Sequence, residues 1–138
     1  PVDELRPLAA HPRAVAVGET GLDYFKNYAS IPAQKALFVK HLEIALEADK
    51  PVSIHCRDAH PDAYQILRAH APLRGVIHCF SGDWPDAEGY LSLNFYLSIA
   101  GPVKSPRGFT GAPSSVAART GQPVVCFCSR YQLQDTIR

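Results

Sequence analysis

Three nearly uninterrupted apolar runs, each closed by a polar residue, constrain the fold of this chain more than any other feature. The runs cover residues 13–19, 51–55 and 75–79, and the segments between them, residues 31–48 and 61–70, carry apolar residues at helical spacing. Strands that are apolar along their whole length are buried on both faces, as in parallel sheets covered by helices. The pattern therefore predicts an α/β fold in which parallel strands alternate with helices.

The rest of the chain extends this alternation and then departs from it. We expect a short helix over residues 84–91 and a fourth strand over residues 94–100. Residues 105–115 are rich in Gly, Pro and Ser, which is typical of a loop, and an apolar run at 123–128 allows one further strand. We therefore divide the chain into residues 1–104 and a divergent tail of residues 105–138.

The first helix offers a more detailed prediction. Ser30 precedes Ile31 and Pro32, which is typical of an N-cap followed by a proline in the first turn. Residues spaced at three and four positions predict one inward face, formed by Leu37, Phe38, His41, Leu42, Ile44 and Ala45.

Composition excludes several classes of function. The 138 residues suffice for one domain, and the net charge of +1 creates no strong field that would attract nucleic acid or a membrane. No run of about 18 apolar residues is present, so no membrane-spanning helix is expected. The amino terminus lacks the basic segment and the apolar segment of a signal peptide. The four cysteines show no disulfide or zinc-finger spacing. We expect a cytoplasmic protein with reduced thiols and no membrane partner.

The polar residues that close the apolar runs are Glu19, His55 and His78. Taken singly, such a histidine is more often a hydrogen-bonded core or rim residue, and such a glutamate more often caps a turn. In parallel α/β sheets, however, ligand-binding and catalytic residues usually lie at the carboxyl ends of the strands. Carboxylate and neutral imidazole are ligands of Zn, Mn or Mg in hydrolytic sites. The three strand ends together predict a metal site.

Several segments carry a resemblance to a known family. GETGLDYF at 18–25, PVSIHCRDA at 51–59, VIHCFSG at 76–82 and YLSIAGPV at 96–103 resemble the TatD family of metal-dependent deoxyribonucleases, which are amidohydrolase-like TIM barrels. The resemblance covers roughly residues 1–104. It implies that the chain forms part of a TIM (β/α)8 barrel.

The resemblance also implies a site and a reaction. Glu19 would be the catalytic carboxylate that bridges two divalent ions, which would be Zn, Mg or Mn, and His55 and His78 would be ligands of one ion. A metal-activated water would then cleave phosphodiester bonds of DNA. The substrate would be single-stranded DNA or a DNA end. These properties make the expected activity that of a deoxyribonuclease, and specifically an exonuclease.

The sequence departs from the family pattern at both ends. The family completes its site with a His-x-His pair and an aspartate in a Glu-Thr-Asp-Ser-Pro type motif, and neither motif occurs in these 138 residues. A complete barrel takes about 250 residues, so we expect this chain to supply four or five strands. Open sheet edges favour self-association. The alternative functions are a non-catalytic or inactive truncated remnant serving as an interaction module, and a different amidohydrolase activity on another substrate.

Polar residues beside the strand ends are candidates for substrate binding. Arg57 would hold a phosphate through its guanidinium fork, or else form a salt bridge with Asp58 or Asp23. Ser81 is expected to line the pocket. Asp23 either orients a ligand or phosphate or closes the turn after Gly21, and the sequence favours the turn.

The remaining candidates have plainer interpretations. We expect His60 to begin the second helix rather than to support a ligand. Tyr24, Phe25 and Trp84 could stack on the bases of a single strand. Aromatic residues in such loops usually contribute to packing, so packing is the expected role for all three.

Overall fold

The computed structural model describes residues 2–26 and 28–98, so the predicted strand at 123–128 and the proposed tail lie outside the described residues. In chain order the elements are a 3-10 helix Val2–Glu4, α1 Leu5–Ala9, β1 Val17–Asp23, α2 Ile31–Glu47, β2 Val52–Arg57, α3 His60–Ala69, β3 Gly75–His78, α4 Trp84–Ser92 and β4 Phe95–Leu97. No helix in this part of the chain is long and apolar enough to cross a membrane.

The four strands form one parallel sheet in the order β1-β2-β3-β4. Each strand pairs with the next one along the chain, and a helix lies between consecutive strands, which confirms the predicted α/β class. Gly21 is the register partner of His55, and His55 is the partner of His78. The pairing therefore aligns the carboxyl ends of the first three strands at one edge. Over the described residues the sheet does not close, and β1 and β4 are its edges.

The first strand begins four residues later than predicted and ends beyond Glu19. Val17 pairs with Val52 and Thr20 with Ile54, so the register shifts by one residue between the two pairs. Such a β-bulge bends a strand and re-aims a side chain, and here two successive residues, Gly18 and Glu19, are exposed. The prediction that Glu19 closes the strand is wrong, because pairing with β2 continues to Asp23.

Gly21 lies inside β1, and the turn follows at residues 24–26. A Cβ atom at this position would lie 1.9 Å from the carbonyl oxygen of His55, and the φ angle is +141°. Glycine alone combines this backbone conformation with so close an approach of two strands. The glycine therefore permits the pairing that places β1 beside His55.

The core lies between the sheet and the helices. In β2 and β3, every second residue is buried against the helices. The residues between them, Ser53, His55, Val76 and His78, are only half-buried. The main buried side chains are Leu22, Phe38, Leu42, Ala45, Ile54, Leu67, Ile77, Tyr90, Phe95 and Leu97. Helices thus cover one face of the sheet in the described residues, and both candidate histidines lie on the other, open face.

The first long helix follows its prediction closely. Ser30 caps α2 by accepting a hydrogen bond from the Ala33 amide at 3.4 Å. The predicted inward face is buried at Phe38, Leu42, Ile44 and Ala45, but Leu37 is 48% exposed. Leu37 lines a cavity beside the edge strand β1, where no neighbouring strand in the described residues covers it.

Candidate metal centre

The three residues that the sequence singled out converge on the open face of the sheet. An oxygen of Glu19, Oε1, lies 3.8 Å from Nδ1 of His55 and 4.0 Å from Nε2 of His78. The bulge in β1 exposes Glu19 beside the paired histidines of β2 and β3. Because all three side chains are one third to one half exposed, they are accessible to an ion from solvent.

The spacing of these side chains defines an open, one-sided donor set. Two atoms that both lie about 2.1 Å from one ion are at most about 4.2 Å apart, and both distances from Glu19 fall near this limit. Among the described residues, no group of three or more His, Cys, Asp or Glu side chains is arranged to hold a metal ion by itself. The donor types are those that bind divalent ions, but the described residues do not form a complete metal site.

Asp23 contacts His55 from the side opposite to Glu19. Its Oδ2 lies 2.9 Å from His55 Nε2, and its Oδ1 accepts hydrogen bonds from the amides of Phe25 and Lys26 at 3.0 and 2.8 Å. Burial raises the pKa of Asp23, but the Lys26 amide and His55 outweigh burial and leave the pKa below its usual value. Asp23 therefore closes the turn, as the sequence favoured, and also contacts the histidine.

Arg57 stacks on an aromatic ring at the end of β2. Its guanidinium carbon lies 3.8 Å from the centroid of the Phe25 ring, and this ring is 59% exposed. No ion pair joins Arg57 to Asp23 or Asp58, so neither of the two salt bridges considered from the sequence is formed. The prediction that Phe25 serves in packing is wrong, because its ring lies at the surface against a cation.

The other aromatic candidates and His60 lie in the packed layer. The Tyr24 hydroxyl donates to Asp62 at 2.7 Å, and Tyr24 and Trp84 pack against the core. His60 begins α3, as predicted, and its Nδ1 lies 3.1 Å from the buried hydroxyl of Tyr90. Ser81 is exposed in the loop between β3 and α4. Its predicted role in substrate binding stays a prediction.

One of the two cysteines in the described residues, Cys79, does not lie where the sequence predicted. Cys56 is buried, as expected of a small apolar residue, and burial raises its pKa to about 11. Cys79, which was assigned to the third strand, is instead exposed just beyond it, with Sγ 3.0 Å from His78 Nε2. Burial and the charge of Glu19 raise the pKa of the Cys79 thiol. The feature of the sequence that could have indicated this exposed position is that Cys79 directly follows His78, the residue that closes the strand.

A cavity of about 410 Å³ adjoins the candidate site between β1 and α2. Its lining includes Glu19, Asp23, Gln34, His41 and His55. Gln34 holds the backbone of Asp23 from both sides, because its Oε1 accepts from the Asp23 amide at 2.9 Å and its Nε2 donates to the Asp23 carbonyl at 3.1 Å. No role in the site was predicted for Gln34, although it lies on the first turn of a capped helix.

A parallel α/β sheet with a glutamate and two histidines at its carboxyl edge is typical of metal-dependent hydrolases built on a TIM barrel. The model of the family "TatD related DNase" matches residues 1–119. The metal-dependent hydrolase YcfH of Escherichia coli K12 is 43% identical over 104 residues, which cover 74% of this chain and 39% of YcfH. The 3'-5' ssDNA/RNA exonuclease TatD of Edwardsiella piscicida is 41% identical over 106 residues, covering 75% and 41% of the two chains.

Solved structures agree with these sequence matches. YJJV, a TatD homolog from Escherichia coli K12, superposes with a TM-score of 0.69 at 31% identity, covering 78% of this chain and 42% of YJJV. The chain belongs to the TatD related DNase family. It spans about two fifths of the length of the curated relatives it matches.

Proposed function

We propose that this chain acts as a divalent-metal-dependent hydrolase that cleaves phosphodiester bonds of single-stranded DNA from an end. The observation that carries the proposal is the approach of Glu19 to both His55 and His78 across three adjacent strands. A carboxylate between two imidazoles on an open, solvent-accessible face suits cation binding better than it suits core packing. The cytoplasm is the proposed location.

Each residue of the site has a defined part in this proposal. Glu19 would be the catalytic carboxylate shared by two ions, and His55 and His78 would hold one ion. Two divalent ions, Zn, Mg or Mn, would lower the pKa of a coordinated water and stabilise the charge that builds on the phosphodiester. Arg57 binds a phosphate oxygen through guanidinium donors that no carboxylate of Asp23 or Asp58 occupies. Ser81 contributes from the neighbouring exposed loop.

The relatives support a nucleic-acid substrate in part. One is named a single-stranded DNA and RNA exonuclease, whereas YcfH is described only as a metal-dependent hydrolase. The formal net charge of +1 provides no broad field for a polyanion. Substrate contacts are therefore local, and we expect weak, salt-sensitive binding that depends on a few phosphates near Arg57.

Hydrolysis of a labelled single-stranded oligonucleotide by the chain tests this function. We expect shortened products in the presence of Mn, Mg or Zn, no products after chelation, and recovery when the ion is restored. Products that persist in excess chelator would contradict the metal-dependent reaction. The same assay on a duplex with blunt ends establishes the preference for single strands.

A second candidate is a non-catalytic module of the same family. It is favoured by the one-sided donor set and by the sheet that stays open over the described residues. Such a module would associate with itself to cover the strand edges. A chain that binds no divalent ion and releases no nucleotides, while forming a concentration-dependent dimer, would support this candidate over the hydrolase.

Removing either histidine is expected to weaken metal binding without unfolding the chain. His55→Ala and His78→Ala each delete one nitrogen donor, and both side chains lie on the open face, outside the core. We expect the affinity for Zn or Mn to fall by about tenfold or more, measured by calorimetric titration. His11→Ala, at an exposed position before β1, is the matched control. Unchanged affinity in either site variant would remove that residue from the ligand set.

A further inference from the structure

The Asp23 side chain lies between two parts of the candidate site. One oxygen, Oδ2, faces the imidazole of His55 at 2.9 Å, and the other, Oδ1, accepts from the amides of Phe25 and Lys26. The carboxylate is 19% exposed, and Gln34 holds its backbone on both sides. Its orientation is therefore fixed by five hydrogen bonds to four residues.

The first consequence concerns the tautomer of His55. An ionised carboxylate only accepts hydrogen bonds, so the neutral imidazole donates from Nε2 to Asp23. The lone pair is then on Nδ1, the nitrogen that lies 3.8 Å from Glu19. Carboxylates that accept from the far nitrogen of a metal-binding histidine fix its ring and tautomer in this way.

The second consequence concerns the arginine at the end of β2. The two amides that Oδ1 accepts from belong to the turn that carries Phe25, and the Phe25 ring lies 3.8 Å from the guanidinium carbon of Arg57. A long arginine side chain at the surface loses much conformational freedom when it is held on a ring. The turn thus determines where Arg57 presents its donors.

We propose that Asp23 is a positioning residue that presents Nδ1 of His55 toward Glu19 with one oxygen and holds the Phe25 turn under Arg57 with the other. This proposal rests on the proposed function in one respect. In an active hydrolase, the two contacts of Asp23 would keep an ion ligand and a phosphate-binding arginine in fixed positions relative to each other. The two structural effects are properties of the metal-free chain. They can be measured without turnover.

Asp23→Asn separates the two effects. The asparagine oxygen still accepts from the turn amides, but its NH₂ group now faces Nε2 of His55 as a donor. His55 must then accept at Nε2 and carry its hydrogen on Nδ1, which removes the lone pair that faces Glu19. We expect nitrogen-15 spectra of the metal-free chain at alkaline pH to show the switch from the Nε2–H to the Nδ1–H tautomer.

Two further variants complete the experiment. Asp58→Asn, the same change at an exposed neighbouring position, is expected to leave the His55 tautomer unaltered. Asp23→Ala removes both oxygens, and the amides of Phe25 and Lys26 should exchange with solvent about fivefold faster, whereas Asp23→Asn keeps them protected. Metal affinity should fall about 10- to 100-fold in both Asp23 variants.

The outcomes distinguish this proposal from the proposed function. A chain without nuclease activity whose His55 tautomer switches in Asp23→Asn would retain the positioning role and lose the hydrolase. An unchanged tautomer in Asp23→Asn would overturn the proposal, even if the chain were an active nuclease. Unchanged amide exchange in a folded Asp23→Ala variant would overturn the part that concerns the turn.

Discussion

Replacing Glu19 with glutamine is expected to lower metal-dependent hydrolysis by more than about 100-fold, because the loss of a group that only supports a metal ligand already costs 10- to 100-fold. Glutamine keeps the size of the side chain and removes its charge. Among the described residues, Glu19 is the one carboxylate within ion-pair distance of both His55 and His78, so its loss affects the whole donor set. Initial rates on a single-stranded oligonucleotide at saturating ion measure the effect.

The matched control for this prediction is Glu88→Gln, the same change at an exposed position on α4. It should hydrolyse the oligonucleotide at the rate of the parent chain. Calorimetric titration with Zn or Mn gives a second readout that does not depend on turnover, and there Glu19→Gln should bind more weakly than Glu88→Gln. Equal rates and equal affinities in the two variants would contradict the bridging role of Glu19.

The α/β class followed from the sequence because parallel strands leave a strong pattern. Apolar runs closed by polar residues, with amphipathic segments between them, predict helices packed on a parallel sheet. Helices α2 and α4 begin at the predicted residues, Ile31 and Trp84, and end within one residue of prediction; the start of α2 was indicated by its N-cap Ser30. What the apolar pattern did not show is that helices cover one face only in the described residues, leaving His55 and His78 on the other.

The candidate site was only partly predictable. Strand ends of a parallel sheet meet at one edge, so the meeting of His55 and His78 follows from topology. Glu19 lies close to these histidines because of the β-bulge in β1, and a bulge cannot be predicted from the hydrophobic pattern. The pairing of Arg57 with Phe25 and the double contact of Asp23 depend on side-chain rotamers and on a turn held by Gln34. Such contacts between distant positions leave no local signal in one sequence.

Gly21→Ala is the change with the largest expected effect on folding. The added Cβ would lie 1.9 Å from the carbonyl oxygen of His55 and 2.9 Å from its carbonyl carbon, both backbone atoms that cannot move alone. The φ angle of +141° is also unfavourable for alanine. We expect the free energy of unfolding to fall by at least about 4 kcal/mol, a loss that signals a disrupted strand pair rather than a lost contact.

Gly89→Ala separates this backbone conflict from the general cost of adding a methyl group. Its Cβ would meet the ring of Tyr64 at 3.2 Å, which a side chain can relieve by a small shift. Gly89 lies inside α4, where alanine is favoured over glycine by about 0.5–1 kcal/mol. Urea unfolding followed by circular dichroism should therefore place Gly89→Ala within about 1 kcal/mol of the parent and Gly21→Ala far below it. Equal midpoints for the two variants would show that β1 does not pair with β2 through Gly21, and the approach of Glu19 to His55 would lose its structural basis.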